Sequence, residues 1–181
     1  CGGGILSESL SKKGAKVTGI DISNKAIAIA KKHSKITNLN INYKKITLEE
    51  HYKQQKKKYD IITCMEILEH IPNKNSLIII CKNLIKRYGH IFLSSINKTT
   101  IAFIETIIIG EYTLKIIPIN THSYHKYITL KTIKKIIKKN KLILKTIKGI
   151  KYNHILKKTI FKKNIHVNYI IHIMNVPKGV W

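Results

Sequence analysis

Three consecutive glycines and one acid offer the first chemistry in this sequence. The chain opens Cys1-Gly2-Gly3-Gly4, and residues without a Cβ let the backbone approach a ligand closely. Residues 5–13 read as a short helix whose first N–H groups are free to face that ligand. Residues 16–21 alternate like a strand and end on Asp21. An acid at the end of such a strand, about 20 residues after a glycine turn, can accept both hydroxyls of a ribose. Gly2, Gly3, Gly4 and Asp21 therefore form a candidate site for an adenosine-containing cofactor. The spacing does not separate a dinucleotide from another adenosine cofactor, and a tight turn beside a surface aspartate is the plainer alternative.

A second cluster is Glu66, Glu69 and His70. They stand at i, i+3 and i+4, so one helical turn would bring all three side chains together.

Elements able to position these residues can be read along the chain. Residues 24–34 are rich in Ala, Ile and Lys and read as a helix, and residues 41–45 as a strand. After a charged stretch, 47–58, residues 59–65 form a short apolar run rich in β-branched side chains, the mark of a buried strand. A helix over 75–86 carries Leu77, Cys81, Leu84 and Ile85 on one face, and a strand over 90–96 follows. Beyond it come an apolar stretch, 101–117, a helix over 129–139 and strands over 141–150 and 165–173. Strands alternating with helices of this length indicate βαβ units and a parallel sheet. No linker or repeat interrupts the pattern, so residues 1–181 read as a single domain.

Composition narrows the function classes. With 44% hydrophobic residues the chain can build a core. It carries 34 basic and 9 acidic residues, a formal charge of +25, and no acid follows Glu111. Such a charge invites a nucleic-acid reading. Yet Arg87 is the only arginine, and arginine is the residue suited to bidentate phosphate and guanine contacts. The lysines of residues 129–139 form the solvated face of an amphipathic helix. Cys1, Cys64 and Cys81 make no C-x-x-C pair, which suits a reducing cytoplasm. The stretch 101–117 carries Glu105, Glu111 and Lys115, which argues against a membrane span.

The sequence YDIITCMEILEHIP from Tyr59 to Pro72, with CGGGILSESLSKKGAKVTGIDIS upstream, resembles class I methyltransferases. Within them it is most similar to the ubiquinone-biosynthesis O-methyltransferases, and FLSSINKT, GEYTLKIIP, NTHSYHKYIT, YNH and VNYIIH continue the similarity. The resemblance implies a Rossmann-like α/β fold, a mostly parallel sheet with an antiparallel C-terminal strand. The family's first strand and N-terminal helical segment, which it places ahead of Cys1, are expected to be missing, so the chain reads as an N-terminally truncated member. S-adenosyl-L-methionine is the implied cofactor, with Gly2–Gly4 beside its methionine part, Asp21 on its ribose and Met65 in contact with it. The resemblance also implies a divalent cation, Mg²⁺, at Glu66, Glu69 and His70. Carboxylates suit that ion and the imidazole less so, and a hydrogen-bonded acidic turn without metal is the alternative.

The implied reaction is O-methylation of polyprenylated catechols and phenols. A sulfonium already makes the methyl carbon electrophilic, so the protein must align the hydroxyl and remove its proton. His70 and His122, both in family-like phrases, are the candidate bases, whereas His125 reads as an ordinary solvated side chain. A lipid-borne substrate implies a cytoplasmic enzyme peripheral to the inner membrane face, touching anionic lipid through residues 101–117, and membership of a ubiquinone-biosynthesis complex. The competing classes are a non-catalytic remnant and a basic membrane- or nucleic-acid-binding module.

Overall fold

The computed structural model describes residues 1–103, 124–153 and 158–176. They fall into two compact units, Cys1–Lys56 and Lys57–Trp181.

In the first unit the glycine turn leads into α1 (Ile5–Lys12), with Gly4 as its N-cap. Gly14 follows the helix with a φ of 88°, a left-handed conformation that glycine adopts without steric cost, and its N–H donates to the Ser11 carbonyl. β1 (Thr18–Asp21) and β2 (Asn42–Lys45) pair in parallel, linked by α2 (Asn24–Ile36). Ser23 caps α2 by accepting the Ala26 N–H. Ile27 and Ala30 of α2 pack with Tyr43 of β2 to make the small core. The charged stretch after β2 holds an additional helix, α3 (Leu48–Gln54). Thr47 and Glu50 close a capping box there: the Glu50 N–H donates to Thr47 Oγ1 and the Thr47 N–H to Glu50 Oε2.

The second unit is built on a five-stranded sheet of order β3-β4-β7-β5-β6. β3 (Tyr59–Cys64) crosses through α4 (Lys74–Leu84) to β4 (Ile85–Ile96), which pairs with it in parallel. β7 (Asn168–Met174) then adds antiparallel to β4, β5 (Ile143–Asn153) to β7, and β6 (Lys158–Lys162) to β5. The two-stranded sheet is parallel and the five-stranded one mixed: the C-terminal strand joins antiparallel, as expected, but β5 and β6 do so too, so only the β3–β4 pair of that sheet is parallel. β6 was not foreseen, because the lysines at both its ends, Lys158 and Lys162, mask a short alternation.

One face of β4 and β7 buries Ile91, Leu93, Ile171 and Ile173. α4 contributes Leu77, Ile78, Cys81 and Leu84 to the buried set. α6 (Leu130–Lys139), capped by Thr129, contributes Ile133 and Ile137. Its lysines lie opposite, as the amphipathic pattern requires. A short α5 (Thr100–Phe103) and a 3-10 turn, Tyr124–Lys126, join Ile96 in a smaller cluster around Ala102 and Tyr127. Residues 104–117 of the expected membrane-contacting stretch lie outside the described residues, as does His122. No helix among the described residues is long and apolar enough to cross a membrane.

Candidate active site

Asp21, at the carboxyl end of β1, uses both of its oxygens. Oδ1 accepts the Ser23 N–H at 2.9 Å. Oδ2 accepts the Gly2 N–H at 2.8 Å and the Cys1 amino group at 3.0 Å. Burial pushes its pKa up, but the Ser23 and Gly2 N–H groups outweigh it and hold the carboxyl below its ordinary range. The sequence reading placed Asp21 on a ligand. The structure adds that the same carboxylate ties the glycine turn to the strand end.

The glycines differ in what they do. Gly2 sits at φ 53° with no atom within 4 Å of where a Cβ would stand, so the turn is open there to a ligand. Gly3 has ordinary clearance from Ile29. Gly4, at φ 90°, lies so close to Tyr43 and Ala30 that a Cβ would collide with the tyrosine. An open, anchored glycine turn beside an ionised acid fits the adenosyl cofactor that the sequence suggests.

In the second unit Met65 directly follows β3 and is half-buried. The next residues do not form the expected helical turn. Glu66 has φ 48°, in the left-handed region that non-glycine residues rarely adopt. Residues 68–70 form a turn closed by the His70 N–H donating to the Ile67 carbonyl at 3.0 Å. Glu69 is buried and His70 exposed.

Two neighbouring serines of β4 hold the carboxyls. The Ser94 hydroxyl donates to Glu66 Oε1 at 2.5 Å and accepts the Glu66 N–H at 3.0 Å. The Ser95 hydroxyl donates to Glu69 Oε2 at 2.9 Å. Residue 66 as a whole is exposed, but its carboxyl is turned inward against Ser94. Burial of that carboxyl, with the Glu69 charge and a hydrogen bond shared with it, pushes the Glu66 pKa up to about 7, against the pull of Ser94. Tyr169 of β7, fully buried, has its phenol pKa raised by burial and by the charges of Glu69 and Glu66, which outweigh the opposing pull of Ser95.

These observations correct the expected metal centre. Glu66, Glu69 and His70 do not share a helical face, and one oxygen of each carboxyl is engaged by a serine. Among the described residues no group of three His, Cys, Asp or Glu side chains is arranged to hold a metal ion. The arrangement of the described residues thus gives the expected Mg²⁺ site no support. Ser94, Ser95 and Tyr169 were not singled out from sequence, although they sit within FLSSINKT and VNYIIH. Their signal is the alternation of a strand, which sends adjacent serines to opposite faces.

The parallel β3–β4 pair, with its acidic turn at the carboxyl end, and the glycine turn with its strand-end acid are features of a class I methyltransferase. A family profile described as a methyltransferase domain matches residues 1–144. The chain belongs to the ubiquinone biosynthesis O-methyltransferases. It is 42% identical over 171 residues to the one from Shewanella pealeana, covering 94% of this chain and 72% of the relative. With the one from Glaesserella parasuis the identity is 43%, covering 97% and 76%.

Solved structures agree on the fold. A plantazolicin methyltransferase in complex with a triazolic desmethylPZN analog and SAH superposes with a TM-score of 0.74 at 15% identity, over 98% of this chain and 75% of that one. The magnesium protoporphyrin IX methyltransferase from Synechocystis with bound SAH gives 0.66 at 20% identity, over 97% and 70%. The resemblance read from the sequence motifs and the α/β fold class are thereby borne out.

Proposed function

We propose that this protein transfers a methyl group from S-adenosyl-L-methionine to a hydroxyl of a polyprenylated phenol or catechol in ubiquinone biosynthesis. The observation that carries the reading is the identity of about two residues in five with ubiquinone biosynthesis O-methyltransferases over nearly the whole chain.

The cofactor supplies an electrophilic methyl carbon when bound. In the first unit the Gly2–Gly4 turn takes its methionine part and Asp21 its ribose, the open backbone at Gly2 supporting this assignment. Met65 contacts the cofactor, a role that rests on its sequence motif. In the second unit the turn 66–70 stands at the carboxyl end of β3, where ligands of α/β sheets bind. There the chain's task is to orient the substrate hydroxyl and take its proton. The exposed imidazole of His70 is the acceptor in this reading, with His122 its alternative. Removal of that proton would leave the oxygen able to take the methyl group that a bound cofactor would supply, its sulfonium leaving as a neutral thioether. The protein acts in the cytoplasm, peripheral to the membrane that holds its substrate and within a ubiquinone-biosynthesis complex. Residues 101–117 and the lysine-rich surface provide the lipid contact.

Calorimetry with S-adenosylmethionine tests the cofactor reading first. The wild-type chain should bind in the micromolar range, and Asp21→Ala should weaken binding about tenfold or more, as loss of charged hydrogen bonds would. No binding by the wild type would overturn the reading. Methyl transfer to a prenylated catechol, compared with His70→Gln and His122→Gln, then tests the substrate and the base.

A further inference from the structure

The Ser94 hydroxyl bonds Glu66 twice, through its backbone N–H at 3.0 Å and its carboxyl at 2.5 Å. Glu66 is also where the chain leaves β3 with φ 48°. A left-handed conformation is strained for a non-glycine residue, so something must hold it. Ser94 is suited to do so because it is buried on a strand paired on both sides. Ser94 is 3% exposed, and β4 is flanked by β3 on one side and β7 on the other. Next to it, Ser95 fixes the far end of the same turn through Glu69.

We propose that Ser94 is a positioning residue for methyl transfer. By clamping both the main chain and the side chain of Glu66, it fixes the turn 66–70 in the geometry that aligns the substrate hydroxyl. It acts through Glu66 and touches neither substrate nor cofactor. The inference rests on the function proposed above. It explains why a strained residue opens the turn: the left-handed step sends Glu66 back toward β4 instead of continuing the strand. Ser95 and Glu69 form the second, fully buried tie.

The test compares Ser94→Ala with Ser94→Thr, which keeps a hydroxyl on a strand that accepts β-branched residues. S-adenosylmethionine affinity, kcat and KM for a prenylated catechol, and hydrogen exchange of residues 65–70 are read for each. Ser94→Ala should lower kcat about tenfold or more, the cost of a misplaced reacting group. It should leave cofactor affinity within about threefold and speed exchange in the turn; Ser94→Thr should recover most of the loss. Glu66→Gly supplies the second arm, since glycine adopts φ 48° unaided. In that background Ser94→Ala should cost much less than in the wild type, the coupling expected of two residues acting as one.

Unchanged kcat in Ser94→Ala overturns the proposal, as does an equal loss in both backgrounds. A global fall in stability with uniform loss of cofactor binding, unrepaired by threonine, also overturns it. A wild type that neither binds the cofactor nor methylates the catechol overturns the proposed function instead, and the catalytic role of Ser94 with it. The exchange data would still report whether the clamp exists.

Discussion

Glu66 shows how much one residue's setting decides. Its carboxyl has its pKa raised from 4.5 to about 7, so between those values the folded chain holds a proton that the unfolded chain has lost. The contribution of Glu66 to stability is therefore fully present below pH about 4.5 and is lost as pH rises through about 7. Glu66→Gln should flatten the decline in unfolding midpoint between pH about 5 and 7.5. A decline of equal slope in wild type and variant would contradict the assignment. At Gly4 the argument is steric. Its φ of 90° and the Tyr43 ring against it predict that Gly4→Ala loses about 1–3 kcal/mol in urea unfolding. Residue identity at both places was plain in the sequence, but conformation was not. The i, i+3, i+4 spacing of Glu66, Glu69 and His70 suits a helix, and only the Ser94 bonds, from a strand 28 residues away, reveal the left-handed turn that replaces it.

Elements whose apolar period was strong were legible. α2, α4, α6 and strands β1, β2, β4 and β7 follow the hydrophobic patterns that call for them, with ends displaced by a few residues, whereas β3, read as a buried strand, stands at the edge of its sheet with none of its residues buried. β4 begins at Ile85 rather than 90 because the chain pairs Tyr59 with Ile85 before a bulge and resumes at Ile61 with His90. α3 was hidden by its charges, and the clue was the Thr47–Glu50 box. Thr47→Ala should remove about 1 kcal/mol of stability, measured by urea denaturation, and Glu50→Ala should act on the same box. In α6 Ile137 is 2% exposed. Ile137→Ala should cost about 2–5 kcal/mol, whereas Lys138→Ala on the solvated face should change stability little. Equal losses from the two would mean that the helix is not packed as described.

Across the whole chain, the +25 charge sets the behaviour that all elements share. Attraction to anionic vesicles should be strong at low ionic strength and fade above about 0.3 M salt, where the Debye length falls to a few ångströms. Co-sedimentation with phosphatidylglycerol vesicles, set against neutral phosphatidylcholine, measures it; binding indifferent to both lipid and salt would count against membrane recruitment by charge. The family was readable from motifs over almost the whole chain. No change of composition marks the boundary between the two compact units at residue 56.

The position of β7 has a further consequence, for the time order of folding. This strand, residues 168–174, is the last described in sequence yet lies between β4 and β5 in the sheet. During synthesis β4 and β5 therefore leave the ribosome without their shared neighbour, each with a row of backbone groups unpaired. The second unit cannot close until the late strand arrives, so its assembly follows the synthesis of residues 168–174, and nascent chains stalled before residue 168 should be sensitive to protease and to chaperone binding.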